Sequence, residues 1–212
     1  MKRTVTALLL TIALLSPALA EGEEVVIAPP PSPGPVITVE AHYADWDTIP
    51  EWAKQGVTFA LESGLMGGVP GGRFDSYGTV TNAQLATVLA ATSLSLDPAE
   101  YPGFTDVAET AWFAPFIRAV CERGLMGGAD GLFSPDAKVT HEQLAAVLAR
   151  ALGLTLTGGP IPADLADADA QYSDAISAVF AEGIMSGDGT LFRPKAEVTR
   201  AELAVIMAGI YL

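Results

Sequence analysis

Apolar residues recur at helical intervals in two kinds of stretch that alternate along most of the chain. One kind appears three times, as VTNAQLATVLA (Val80 to Ala90), VTHEQLAAVLA (Val139 to Ala149) and VTRAELAVIMA (Val198 to Ala208). Leu85, Val88, Leu89 and Thr92 share one helical face, as do Leu144, Val147, Leu148 and Ala151, and Leu203, Ile206, Met207 and Ile210. The other kind precedes each of these. In the middle copy Trp112, Phe113, Phe116, Ile117, Val120 and Cys121 keep the same period and predict a helix from about Trp112 to Arg123, with Pro115 in its opening turn. The pattern is therefore helix, loop, helix, repeated three times in register.

The polar positions mark where each helix starts and stops. Thr81, Thr140 and Thr199 stand at equal spacing as N-caps, with Gln84, Gln143 and Glu202 three residues on to complete capping boxes. Val80 with Leu85, Val139 with Leu144 and Val198 with Leu203 form hydrophobic staples. In the first copy Thr48-Ile49-Pro50-Glu51 offers a further cap, an early proline and a capping-box glutamate. The first helix of each copy ends at glycine, Gly64, Gly124 or Gly183, the residue that takes up the left-handed closing conformation. Asp130-Gly131, Asp188-Gly189 and Pro70-Gly71-Gly72 turn the loops, and Phe74, Phe133 and Phe192 plug them into the core. At its start the third copy reads as shorter, with Asp167 to Tyr172 in place of Asp106 to Phe113. One helix pair cannot bury its own stripe. Three stripes can pack about a pseudo-threefold axis, which predicts an all-α fold.

The ends differ from this pattern. Lys2 and Arg3, the apolar run Ala7 to Leu15 and the small-x-small site ending at Ala20 read as a signal peptide over residues 1–20. Residues 21–41 read as a stiff proline-rich linker around Ala28 to Pro35. The repeats then occupy residues 42–98, 99–158 and 159–212. No second long apolar run follows, so the cleaved chain is expected not to span a membrane. Net charge is −14 over 212 residues, and more negative once Lys2 and Arg3 are removed. That balance argues against nucleic acid and anionic membranes as partners. The lone Cys121 excludes an intrachain disulfide and reads as a small buried hydrophobe.

The repeat resembles the S-layer homology (SLH) family, whose pattern is an aromatic-x-Asp start, a helix, a Gly-[Ile/Leu]-x-x-Gly loop, a phenylalanine and a Thr-Arg-Ala-Glu helix opening. Here the starts are Tyr43-Ala44-Asp45, Phe104-Thr105-Asp106 and a weaker Leu165-Ala166-Asp167, and the loops begin at Gly64, Gly124 and Gly183. The resemblance implies a three-pronged helical bundle, exported and held non-covalently at the cell surface by a secondary cell-wall polysaccharide or peptidoglycan-linked glycan, often pyruvylated. It implies ligand grooves between repeats, with the residue after each capping threonine touching the anionic sugar. That residue is Asn82, His141 or Arg200, so only the third copy keeps the family's arginine. His141 can act as a cation at mildly acidic pH or as a neutral polar residue at a helix start. Free N–H groups at the helix N-termini would add to the attraction. Asp45, Asp106 and Asp167 are structural at the loop starts, with a sugar-binding role implied by the family. Trp52 and Trp112 read mostly as core, with an edge left to stack on a sugar.

Catalysis finds almost no support; paired carboxylates for glycoside hydrolysis are the one arrangement that so acidic a sequence leaves open. The two histidines, His42 and His141, assemble no nucleophile–base set, and the Gly67-Gly68 and Gly127-Gly128 loops follow a helix, which excludes a dinucleotide site. The acidic string Asp164, Asp167, Asp169 and Asp174 begins like a Ca²⁺ loop, but Tyr172 stands where glycine is needed and no glutamate closes it. The expectation is a non-enzymatic binding module without metal or cofactor. The alternative is a structural protein with degenerate grooves that binds itself or another envelope protein.

Overall fold

The computed structural model describes residues 43–92, 103–156, 158–187 and 189–211. The signal-peptide and linker expectations, and Asp188 of the third turn, lie outside these residues. The described chain is helical: α1 (Glu51–Glu62), α2 (Asn82–Ala91), α3 (Ala114–Glu122), α4 (His141–Ala151), α5 (Ser173–Ala181) and α6 (Arg200–Tyr211), with short 3-10 turns at Trp46–Thr48, Leu165–Asp167 and Ala170–Tyr172. Among the described residues, β pairing is confined to isolated bridges.

Each second helix packs on the first helix of the following repeat, α2 on α3 and α4 on α5, and α6 closes the set by packing on α1. Every helix pair therefore draws on two repeats. At the centre the three staple valines form a closed ring of backbone hydrogen bonds. Val80 N donates to Val198 O at 2.9 Å, Val198 N to Val139 O at 2.8 Å, and Val139 N to Val80 O at 3.0 Å. The bridges Thr79–Thr199, Thr81–Lys138 and Thr140–Glu197 flank this ring. The repetition is that of a pseudo-threefold axis, and the stripe residues Leu85, Leu144 and Leu203 are buried beside it.

The predicted caps form. Thr81 and Thr140 close capping boxes with Gln84 and Gln143. Thr199 N donates to Glu202 Oε2 at 2.8 Å while Glu202 N returns to Thr199 Oγ1 at 3.2 Å. Gly64, Gly124 and Gly183 end their helices at φ of 71°, 65° and 73°. Asp130 and Gly131 turn tightly, with φ of 53° and 78°. Phe74, Phe133 and Phe192 are buried.

Two local expectations are corrected. Thr48 does not cap α1: its hydroxyl donates to Asp45 O at 2.7 Å within the 3-10 turn, and α1 starts at Glu51 behind Pro50. α3 begins at Ala114 rather than Trp112, because the Trp112-Phe113 segment is still turning into the helix.

Candidate functional site

The residue after each phenylalanine is left-handed without being glycine: Asp75, Ser134 and Arg193 have φ of 61°, 58° and 58°. A carboxylate from the repeat start holds each of these turns. Asp45 accepts from Phe74 N at 2.8 Å and Asp75 N at 2.7 Å; Asp106 accepts from Phe133 N at 2.9 Å and Ser134 N at 2.7 Å. Burial pushes the Asp106 carboxyl up, but the backbone N–H groups of Phe133, Ser134 and Asp106 itself outweigh it and leave it below the usual range. In the third repeat Asp164 does this, accepting from Phe192 N at 2.8 Å and Arg193 N at 2.7 Å. Asp167 is exposed at the end of a 3-10 turn and is not the equivalent of Asp45 and Asp106. The repeat therefore starts at Pro162-Ala163-Asp164, and it is not shortened there. The start aromatics Tyr43 and Phe104 lie over the loop: a Cβ at Gly68 would stand 2.6 Å from the Tyr43 ring, and one at Gly128 2.6 Å from Phe104.

The side chain after each capping threonine crosses to the next repeat and meets the carbonyl of its loop phenylalanine. Asn82 Nδ2 donates to Phe133 O at 3.4 Å and Ser134 O at 3.0 Å. His141 Nδ1 lies 2.9 Å from Phe192 O. Arg200 closes the ring, with Nε donating to Phe74 O at 2.8 Å and Nη2 to Gly67 O at 2.5 Å, and the guanidinium 4.7 Å over the Phe74 ring. Arg200 is only 7% exposed. Burial pushes its guanidinium below the ordinary value, against the opposing pull of Asp75, Tyr43 and Asp45. Much of this side chain holds the third repeat to the first.

The helix N-termini are not free. Asn82 N and Ala83 N donate to Ala137 O and Pro135 O, both at 3.0 Å. His141 N and Glu142 N donate to Ala196 O and Pro194 O, and Arg200 N and Ala201 N to Gly78 O and Ser76 O. The third N–H of each helix goes to its threonine. The orphan donors of the first turn are thus spent on loop carbonyls, which corrects the expectation that they face a ligand.

The seam between the second and third repeats carries a groove of about 350 Å³, lined by Trp52 from α1, His141 from α4, Ile184, Gly187 and Phe192 from the third loop, and Glu202 and Ile206 from α6. Trp52 is 59% exposed and Trp112 63%, so neither is a core residue. Trp52 is the second residue of α1, and Trp112 lies just before α3. Trp112 stands before Gly124 as Trp52 does before Gly64. The third repeat has Gln171 there, while Tyr172 packs partly into the core.

Glu202 is the electrostatic hinge of this groove. Burial alone would raise it, but His141 and the Thr199 N–H and hydroxyl hold it down to about 2. His141 Nε2 lies 3.5 Å from Glu202 Oε2. Beside them Lys195 Nζ bonds Glu142 Oε1 at 2.7 Å and Asp169 Oδ1 at 2.6 Å, and Asp169 N donates to Glu142 Oε2 at 3.0 Å. Asp169 and then Glu142 raise the Lys195 ammonium above its ordinary value. Of the acidic string, Asp164 thus clamps the loop of its own repeat, and Asp169 helps to hold the third repeat to the second. Cys121 is half-buried; burial, then Glu122, raises its thiol to about 11, which removes it as a nucleophile near neutrality.

A seam built this way defines a class, a ring of helix-loop-helix repeats whose potential ligand surfaces lie between repeats. A family model described as S-layer homology domain matches residues 42–86, 103–145 and 163–204. The chain belongs to the S-layer homology domain family. It is 29% identical over 161 residues to an S-layer protein, sap, of Bacillus anthracis, covering 74% of this chain and 20% of that protein. It is 28% identical over 167 residues to an exoglucanase, XynX, of Acetivibrio thermocellus, covering 75% of this chain and 15% of that protein. A cellulosome-anchoring protein of Acetivibrio thermocellus is 32% identical over 111 residues, covering 49% of this chain and 25% of that protein. The chain thus spans less than a third of each of these relatives.

Proposed function

We propose that this chain is an exported cell-surface module that attaches non-covalently to an anionic secondary cell-wall polysaccharide through its inter-repeat grooves. The observation that carries this reading is the seam between the second and third repeats, where an exposed tryptophan stands across a groove from an ionisable helix-start side chain. An acidic pyranose would use an aromatic face for its C–H surface and polar groups at the groove wall for its substituents. The relatives support a role in attachment rather than chemistry. An S-layer protein, a glucanase and an anchoring protein share only a repeat region of this kind with the chain, so their differing names point away from it as the seat of any one reaction.

One observation favours the second reading, a structural protein with degenerate grooves that binds itself or an envelope partner. The first seam has Asn82 for the cation and the third repeat has Gln171 for the tryptophan. The test is co-sedimentation of the protein with purified wall sacculi, before and after acid stripping of the secondary polymer. Pelleting that is lost on stripping and weakened by Trp52→Ala and His141→Asn supports glycan attachment. Arg200→Lys is the suitable change at the third seam, because Arg200→Ala would leave the Phe74 carbonyl without its partner. A folded protein that never pellets refutes attachment and turns the search to protein partners.

A further inference from the structure

The three repeats start on the same backbone frame. Ala44 N, Thr105 N and Ala163 N donate to Gly72 O, Gly131 O and Thr190 O, while Trp46 N, Val107 N and Leu165 N donate to Tyr43 O, Phe104 O and Pro162 O. Pro162 therefore occupies the place of Tyr43 and Phe104, with the clamping aspartate two residues on in every copy. The side chain is what differs. In the first repeat the Tyr43 ring meets the edge of Phe74, with centroids 6.5 Å apart, and lies against Gly68. In the second the Phe104 ring stands 5.4 Å from Phe133 and lies against Gly128. In the third the atoms nearest a Cβ on Gly187 belong to Leu191 and Phe192, so the ring that covers the other two loops has no counterpart.

The space left open belongs to the groove between the second and third repeats. Gly187, Phe192 and His141 line that groove. They are the counterparts of Gly68, Phe74 and Arg200, which surround the Tyr43 ring in the first repeat. Across the groove stands the exposed Trp52. Glu202 supplies a polar wall: among the described residues, its contacts with Thr199 N, Thr199 Oγ1 and His141 Nε2 all fall on Oε2. Oε1 is left as an acceptor for a ligand hydroxyl. A pyranose matches this set. It is a six-membered ring like the one withheld, its C–H face packs on an aromatic, and its hydroxyls donate to a carboxylate.

We propose that Pro162 selects the principal binding groove: by withholding the ring that stands over the other two loops, it opens a slot for a pyranose unit of the wall polymer between Trp52 and the loop wall at Gly187 and Phe192, with a sugar hydroxyl on Glu202 Oε1. This rests on the glycan-attachment reading and adds which seam binds and what opens it. The first seam keeps Arg200, yet Tyr43 fills the place of the sugar ring there. The second loop is covered in the same way by Phe104. A missing aromatic, rather than a retained arginine, thus marks the site.

The experiment uses the full protein and two readouts, pelleting with sacculi that retain their secondary polymer and unfolding in urea. Pro162→Tyr restores the residue that the first repeat carries on the same frame. It should keep at least the wild-type unfolding midpoint while its binding falls about tenfold, the scale of one lost ring stack. Pro162→Ala removes the pyrrolidine without adding a ring and should bind like wild type. Ile206→Phe fills the same groove from α6 and should also lose binding. A folded Pro162→Tyr protein that pellets like wild type overturns the inference and leaves attachment through another seam standing. Equal losses in Pro162→Ala and Pro162→Tyr overturn it as well, because the proline itself would then matter and not the open space. If Pro162→Tyr does not fold, Ile206→Phe decides, and full binding by that variant overturns the inference. Failure of the wild-type protein to pellet refutes attachment itself, and the inference with it.

Discussion

Gly56→Ala tests the closure of the ring at its tightest contact. Gly56 lies in α1 against α6, and a Cβ there would stand 2.7 Å from Val205 Cα, 2.8 Å from Val205 Cγ2 and 2.9 Å from Val205 N. Favourable carbon contacts lie at about 3.5–4.0 Å, so the shortfall is close to 1 Å. Two of the three atoms are backbone, so no rotamer change relieves it and α1 must lift from α6. Helix propensity favours alanine over glycine by about 1 kcal/mol. Overpacking a rigid contact costs about 1–3 kcal/mol, so the net effect is a destabilisation of up to about 2 kcal/mol. Gly209, inside α6, is the internal control: a Cβ there meets nothing within 4 Å, so Gly209→Ala should stabilise by up to about 1 kcal/mol. Urea unfolding of both variants, with unchanged m, reads the difference. A Gly56→Ala protein at least as stable as wild type, or less destabilised than Gly209→Ala, would refute the packing argument.

Two further predictions concern the loop clamp within a repeat and the seam between the second and third. Asp45→Ala removes the acceptor of Phe74 N and Asp75 N and should cost about 1.5–3 kcal/mol, the scale for hydrogen bonds to a charged group; Asp167→Ala should change denaturant stability little, and equal losses would contradict the assignment of Asp164 as the clamp. Glu202 is held at about 2, below its ordinary value of 4.5. Its contribution is therefore complete above that ordinary value and is lost as pH falls through about 2. His141 has the opposite sign: its midpoint is raised, so its contribution is present at low pH and lost as pH rises through that midpoint. Unfolding midpoints of Glu202→Gln should fall off less in acid than those of wild type, and an unchanged acid limb would count against this pairing.

What the sequence made legible was local. Capping boxes, staples and helix-ending glycines are written within a few residues, and they form where the chain announces them. The seams were not legible, because they depend on which helix packs on which. Nothing near His141 in sequence says that its ring meets Phe192 and Glu202, and nothing near Asn82 says that loop carbonyls of the next repeat occupy the first turn of α2. The third start is hidden for a different reason. Leu165-Ala166-Asp167 keeps an apolar-x-Asp spacing, whereas Pro162-Ala163-Asp164 has lost its aromatic and keeps only the carboxylate that the turn needs. Trp52 and Trp112 match across two copies and fit the helical period, which points inward, yet Trp52 stands in the first turn of α1 and Trp112 before α3, and both are exposed.

The valine ring limits how such a protein can vary in size. In an open stack each added repeat meets one neighbour and leaves the others undisturbed. Here the bond from Val198 returns through Val139 to Val80 and back to Val198, and α6 needs α1. A fourth copy inserted into the chain would have no vacant edge to occupy; it would have to break the ring and change every angle between neighbours, or stay outside it with an unburied stripe. Three is therefore the number of repeats at which this ring closes.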